Sequence, residues 1–144
     1  MLNTTPYLHF QGDTEKAMRF YQSVLGGEIT ILGRYKDMPG SERLSPEDQE
    51  KMIHISLVVN NNLTIMATDV LDNMDRDVVH GSNFHVQLHT DSEADAGRLL
   101  HALAKGGTVE EPLRKTSYGP YRGLCIDQYG IPWMVSYNAS TGSS

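Results

Sequence analysis

Four histidines, His9, His54, His85 and His89, lie in stretches where polar and apolar residues alternate. Imidazole at such positions offers three kinds of chemistry: metal ligation, general acid or base catalysis, and hydrogen bonding to a bound molecule. No Asp or Glu alternates among the four, so the pattern favours the hydrogen-bonding wall of a pocket over a metal site, and no metal or other cofactor is expected. Aromatic residues extend the set. Tyr7, His9, His54, His85, His89, Tyr118, Tyr121 and Trp133 together form the expected lining of a small-molecule pocket, with Trp133 equally able to serve as core. Cys125 sits in an apolar run and reads as a buried, inert thiol, since a nucleophile needs an exposed and electropositive setting. No Gly-x-Ser-x-Gly element, phosphate-binding lysine loop or dinucleotide fingerprint occurs, and the doubled glycines follow helical patterns where a phosphate loop would precede them.

These side chains need strands to hold them. Thr5 to Gly12 alternates as a half-buried strand, with Leu8 and Phe10 on the core side and Tyr7 and His9 opposite. Asp13 is the expected cap of a helix running to Leu25, whose stripe is Ala17, Phe20, Tyr21, Val24 and Leu25, and Gly26-Gly27 ends it. A strand over Glu28 to Arg34 follows. Asp37 to Lys51, with Pro39, Gly40 and Pro46, reads as a long loop with a helical turn after Ser45. Met52 to Val59 and Leu63 to Thr68 alternate on either side of Asn60-Asn61-Asn62 and predict a hairpin.

After a polar connection at 69–81 the order restarts. The second half predicts a strand at Asn83 to His89, a helix over Ser92 to Lys105 capped by Asp91, and a stripe of Ala96, Leu99, Leu100 and Leu103. Strands near Thr108 to Leu113, Gly123 to Asp127 and Ile131 to Tyr137 complete it, and the tail Ala139 to Ser144 reads as disordered. The halves align. A shift of 79 places Ala17, Phe20 and Val24 on Ala96, Leu99 and Leu103, the glycine pairs match at 80, and Leu63 to Met66 falls on Ile131 to Met134 at 68. The expected fold is therefore α+β: two βαβββ modules, about 4–68 and 82–138, in one 144-residue domain whose curved mixed sheets enclose a pocket.

Composition narrows the function. A net charge of −6 disfavours attraction to phosphate backbones or anionic bilayers, so neither nucleic acid nor membrane is an expected partner. One cysteine excludes an internal disulfide, and Met1 to Gly12 carries neither a basic region nor a long apolar run, so the expected location is cytoplasmic.

The chain resembles the glyoxalase/bleomycin-resistance, or vicinal-oxygen-chelate, superfamily, and within it the PhnB-like branch. The resemblance spans Thr5 to Tyr137 and rests on Pro6-Tyr7-Leu8-x-Phe10-x-Gly12, Phe20-Tyr21, Leu25-Gly26-Gly27-Glu28, Ile53-His54, Ser117-Tyr118-Gly119 and Asp127-x-Tyr129-Gly130-x-Pro132-Trp133-Met134. It implies a homodimer and, in metal-dependent relatives, one ligand on the first strand and one carboxylate on the last strand of each module. Carried over, the carboxylate positions fall on Met66 and Met134, and the first-strand positions on Thr5 and Asn83 or on Tyr7 and His85. Thioethers suit a hard or borderline divalent ion poorly. Two functions remain open: a metal-independent protein that binds a small organic ligand, or a lyase, isomerase or transferase acting on a small carbonyl or phosphonate-type substrate through a pocket histidine, with Arg122 holding an anion.

Overall fold

A computed structural model describes residues 2–72, 77–117 and 119–138. The chain divides into two compact units, Met1–Val79 and His80–Ser144. The elements of the first are β1 (Tyr7–Phe10), α1 (Thr14–Leu25), β2 (Glu28–Arg34), α2 (Pro46–Gln49), β3 (Met52–Asn60) and β4 (Leu63–Asp69). The second contains β5 (Val86–Thr90), α3 (Glu93–Ala104), β6 (Thr108–Lys115), β7 (Tyr121–Ile126) and β8 (Pro132–Tyr137). Each unit is one four-stranded mixed sheet, ordered β1-β4-β3-β2 or β5-β8-β7-β6, in which the first strand pairs in parallel with the last.

Alternation decides which face each side chain takes. Leu8 and Phe10 are 7% and 4% exposed and join Ala17, Met18 and Tyr21 of α1 with Ile55, Leu57, Ile65 and Ala67 of the sheet in the core. The buried side of α1 is Thr14, Ala17, Met18 and Tyr21, so the stripe is turned toward Met18, and Phe20, Val24 and Leu25 are only half-buried. In α3 the expected Ala96, Leu99, Leu100 and Leu103 are all buried. Its cap is Ser92, not Asp91: the Ser92 hydroxyl accepts the Asp95 N–H at 3.1 Å, relieving one unpaired amide of the first turn. The helical turn after Ser45 forms with the same chemistry, Asp48 N–H donating to Ser45 Oγ.

The pairing registers show the repeat in three dimensions. Tyr7 lies beside Met66, and Gln87 lies beside Met134. Residue 7 thus corresponds to 87, and the alternative pairing of Tyr7 with His85 is corrected by two residues. His85 precedes β5, which starts at Val86 and not at Asn83, whereas Tyr121 and Arg122 belong to β7 and not to the loop before it. The modules differ most between their second and third strands, where residues 35–51 stand against 116–120. The doubled glycines do more than end helices. Gly26 and Gly106 adopt positive φ after α1 and α3, but a Cβ on Gly27 would collide with Val58 O and one on Gly107 with Ile126 O. The second glycine of each pair lets the helix exit press against the backbone of the third strand.

A Cβ on Gly123 would stand 2.5 Å from Leu100 Cδ2 and 3.2 Å from Leu113 N. Gly123→Ala is therefore expected to destabilise the protein by about 1–3 kcal/mol, and Phe10→Ala by about 3–5 kcal/mol, in urea titration, while Tyr7→Ala stays within about 1 kcal/mol. Equal losses for Phe10→Ala and Tyr7→Ala would place both residues on one face and overturn the assignment.

Candidate functional site

The face of the first sheet turned away from α1 is built by three strands. Register sets Tyr7, Met66 and Ser56 in one row and His9 and Thr68 in the next, with His54 two residues before Ser56 on β3. Three polar side chains there form a chain. The Tyr7 hydroxyl is 3.0 Å from His54 Nδ1, and His54 Nε2 is 2.9 Å from Ser56 Oγ. The Tyr7 ring lies 5.4 Å from that of His9 and 5.7 Å from that of His54. Both nitrogens of His54 are engaged, so the ring holds Tyr7 in place. Tyr7 is 44% exposed within this arrangement and presents an aromatic face and a phenol outward.

Residues 35–51 add a wall that sequence reasoning missed. Between Tyr35, Met38, Leu44, Ile53 and Leu71 runs an open cleft of about 340 Å³. It adjoins the polar rows through Thr68, whose hydroxyl donates to Ile53 O at 2.7 Å. The Tyr35 hydroxyl donates to Asp69 O at 2.8 Å, and burial, with the nearby Asp69 charge, raises its pKa and keeps the phenol neutral. The only sequence signal was Met38 and Leu44, two apolar residues in a segment otherwise rich in polar residues, proline and glycine. Below this segment Arg34 forks onto Glu15 at 3.0 and 3.1 Å and donates to Glu50 O at 2.7 Å. Its guanidinium holds the Glu15 carboxyl below its usual pKa, and the pair ties β2 and the insertion to α1.

The second sheet carries the corresponding face. Gln87, Met134 and Leu124 share one row, and His89, Ser136 and Arg122 the next. Ser136 Oγ is 3.2 Å from both Gln87 Nε2 and His89 Nδ1, and His85 Nε2 is 3.0 Å from Glu110 Oε1.

Of the eight residues read as pocket lining, Tyr7, His9 and His54 come together on the first sheet, and His85 and His89 fall on the corresponding face of the second. Trp133 does not. It alternates with Met134 onto the side of Val135 and Leu88, is fully buried, and donates its indole N–H to Asp127 Oδ2 at 2.8 Å. Tyr121 shares the parity of Gly123 and Cys125, so it too leaves the face of the histidines, and its ring lies 6.0 Å from Tyr137. Tyr118 and the tail at 139–144 lie outside the described residues. Asp127 gives the run Asp127 to Met134 a structural role: its carboxylate also accepts the Tyr129 and Ile131 amides and fixes the turn before β8.

A sequence model of the 3-demethylubiquinone-9 3-methyltransferase family matches residues 3–136. The chain belongs to that family. Among solved structures it is similar to protein PA1353 of Pseudomonas aeruginosa, with 32% identity, a TM-score of 0.80, and 96% of this chain and 98% of that one covered. The PhnB protein of Bacillus cereus aligns at 24% identity and a TM-score of 0.75 over 94% and 99% of the two chains. A glyoxylase/bleomycin resistance protein/dioxygenase domain from Frankia sp. EAN1pec shares the fold at 15% identity and a TM-score of 0.66, over 96% and 98%. The PhnB-like branch of the glyoxalase/bleomycin-resistance fold, anticipated from the sequence, is thereby the correct one.

The superfamily's divalent ion does not fit the donors this member of the family offers. At the corresponding positions the first unit presents Tyr7 beside Met66 and the second Gln87 beside Met134, and only the glutamine carries an oxygen donor of the usual kind. Among the described residues, no three of His, Cys, Asp and Glu are grouped to hold a metal. Cys125 is fully buried, and burial, with Asp127 and Glu110 adding to it, pushes its thiol up to about 12. An unfolded cysteine ionises near pH 9, so between about pH 9 and 12 the unfolded chain releases a proton that the folded chain keeps, and this group makes stability fall as pH rises through that window. At pH 8, iodoacetamide is expected to leave Cys125 intact in native buffer and to alkylate it in urea. Rapid native alkylation would show the thiol to be accessible.

Proposed function

We propose that this chain is a small-molecule-binding protein of the PhnB-like branch that works without the superfamily metal. The first unit would hold an organic ligand on its open face. The observation that carries the reading is the cleft of about 340 Å³ beside the Tyr7–His54–Ser56 chain, which combines apolar walls with a few oriented polar groups. Its volume lies toward the small end of the roughly 300–1,000 Å³ typical of ligand sites. Met38, Leu44 and Ile53 supply apolar contact, Tyr7 an aromatic platform, and Tyr7, His9 and Tyr35 polar atoms at one edge. His85 and His89 give the second unit a polar face of the same ancestry.

A second reading follows from the family's description, which names a methyl transfer onto a demethylubiquinone, and from the alternative of a histidine-driven enzyme. A general base needs a lone pair turned to its substrate. His54 has both ring nitrogens turned to Tyr7 and Ser56, which supports binding over base catalysis at this residue. Incubation with radiolabelled S-adenosylmethionine and a catechol acceptor separates the readings, since label transfer to the acceptor would establish the enzyme.

The reading includes a homodimer, the commonest oligomeric form, and a cytoplasmic location. The single cysteine agrees with that location, and no helix among the described residues is long and apolar enough to cross a membrane. Light scattering is expected to give twice the 16.0 kDa chain mass, and a single-chain mass at all concentrations would remove the dimer.

Binding itself is testable through methionine methyl groups. In protein carrying ¹³C-methyl methionine, titration with neutral aromatic fragments is expected to shift Met38 and Met66 while leaving the fully buried Met18 and Met52 in place. Leu44→Ala should weaken the best fragment about tenfold with the fold retained. Shifts confined to other methyls, or none across the library, would sink the proposed cleft.

A further inference from the structure

We infer that the cleft walled by residues 35–51 takes a neutral ligand bearing a hydrogen-bond donor, a hydroxyl or amino group on an apolar body, and that it rejects carboxylates. This rests on the reading of that cleft as a ligand site and adds the polarity of the group it accepts. The carrying observation is the direction in which the cleft's own hydroxyls are spent. Of the residues that line it, only Tyr35 and Ser41 have polar side chains. The Tyr35 hydroxyl donates to Asp69 O at 2.8 Å, and the Ser41 hydroxyl donates to Lys36 O at 2.9 Å. A backbone carbonyl can only accept, so the side on which each proton lies is fixed.

A hydroxyl has one proton and two lone pairs. With the proton turned inward, what Tyr35 and Ser41 offer a ligand is a lone pair. The main chain repeats the pattern. The amides of Tyr35, Met38, Ser41 and Leu44 are donated to the carbonyls of Lys51, Tyr35, Met38 and Ser41 in turn, and Pro39 has no amide proton. The fold-back of this segment thus consumes most of its donors. Charge does not restore them. Lys36 is paired with Glu50 at 3.2 Å and Lys51 with Asp48 at 2.9 Å, and Arg43 does not line the cleft. Burial and the nearby Asp69 charge keep the Tyr35 phenol neutral, so it does not become a negative centre that would draw in a cation. A carboxylate entering here would leave water and gain no donors in exchange, whereas an O–H or N–H group finds acceptors beside apolar walls.

Ligands of one shape and different polarity test this: 4-ethylphenol, its methyl ether and 4-ethylbenzoate, titrated into protein carrying ¹³C-methyl methionine with the Met38 signal as the readout. A cleft that bound by apolar contact alone would prefer the ether, which has one methyl group more. The phenol is expected to bind about fivefold tighter than the ether, and the benzoate about tenfold weaker than the phenol. In the double variant Tyr35→Phe/Ser41→Ala both acceptors are gone, and the ether should bind at least as tightly as the phenol. The signals of the fully buried Met18 and Met52 report whether that variant keeps its fold, and the wild-type ratio stands as the test if it does not. The inference is overturned, with the cleft still standing as a ligand site, by an ether that equals or exceeds the phenol in the wild type or by a benzoate that matches it. A phenol preference that survives in the folded double variant has the same effect. Displacement of the Met38 signal by none of the three overturns the cleft as a ligand site and this inference with it.

Discussion

The parallel pairing of the first strand of each unit with its last is the constraint from which the rest follows. A βαβββ chain closes only when β1 finds β4, and the register of that contact settles which side chains meet α1 and which face away. In the first unit the contact is locked by Asp69. Its carboxylate is 2% exposed and accepts the Gly12 and Thr14 amides with one oxygen and the Met52 amide with the other. Three amides at a helix start and a strand start would otherwise lie buried and unpaired, each costing about 1–3 kcal/mol. Asp69 thus fixes the end of β1, the start of α1 and the start of β3 together, and with them the rows that hold Tyr7, His9 and His54.

The second unit solves the same problem differently. Its equivalent of Asp69 by register is Tyr137, and the buried carboxylate is instead Asp127, at the turn that launches β8. Asp127 uses the Trp133 indole as a donor beside two backbone amides, which is why that tryptophan is committed to the core. Divergence between the modules is therefore greatest where each braces its closing strand and between the second and third strands. The first unit uses residues 35–51 to wall a cleft with apolar side chains, whereas only residues 116–120 join the second and third strands of the second unit.

How much of this the sequence disclosed depends on how local each signal was. Strand alternation put Leu8 and Phe10 beneath the helix and Tyr7 and His9 opposite, because a period of two leaves one choice once a core face is known. The repeat was visible because helix stripe and terminal glycines are both local patterns. Trp133 was ambiguous for the opposite reason. A large aromatic residue suits a core or a pocket equally, and only its position one residue from Met134, within the β5–β8 register, decides between them. Tyr35 and Ile53 were beyond reach, since their meeting across the insertion follows from a fold-back that no periodic pattern encodes.

The methionines at residues 66 and 134 set the chemistry at the centre of each face. Each lies at the centre of its sheet, with Tyr7 and Ser56 flanking one and Gln87 and Leu124 flanking the other. A carboxylate at either position would face partners that include no fixed cation in its own row, and a half-buried charge without one is costly. A thioether is compatible with an aromatic ring or an aliphatic chain alike, because it is polarizable and unbranched. With methionine in the middle of each face, the polar groups lie toward the periphery: Tyr7 and His9 in the first unit, and Gln87 and His89 in the second. In the proposed ligand-binding role such a face would discriminate by shape and by edge contacts, and residues 35–51, which separate the second and third strands of one module alone, are the segment through which selectivity would be set.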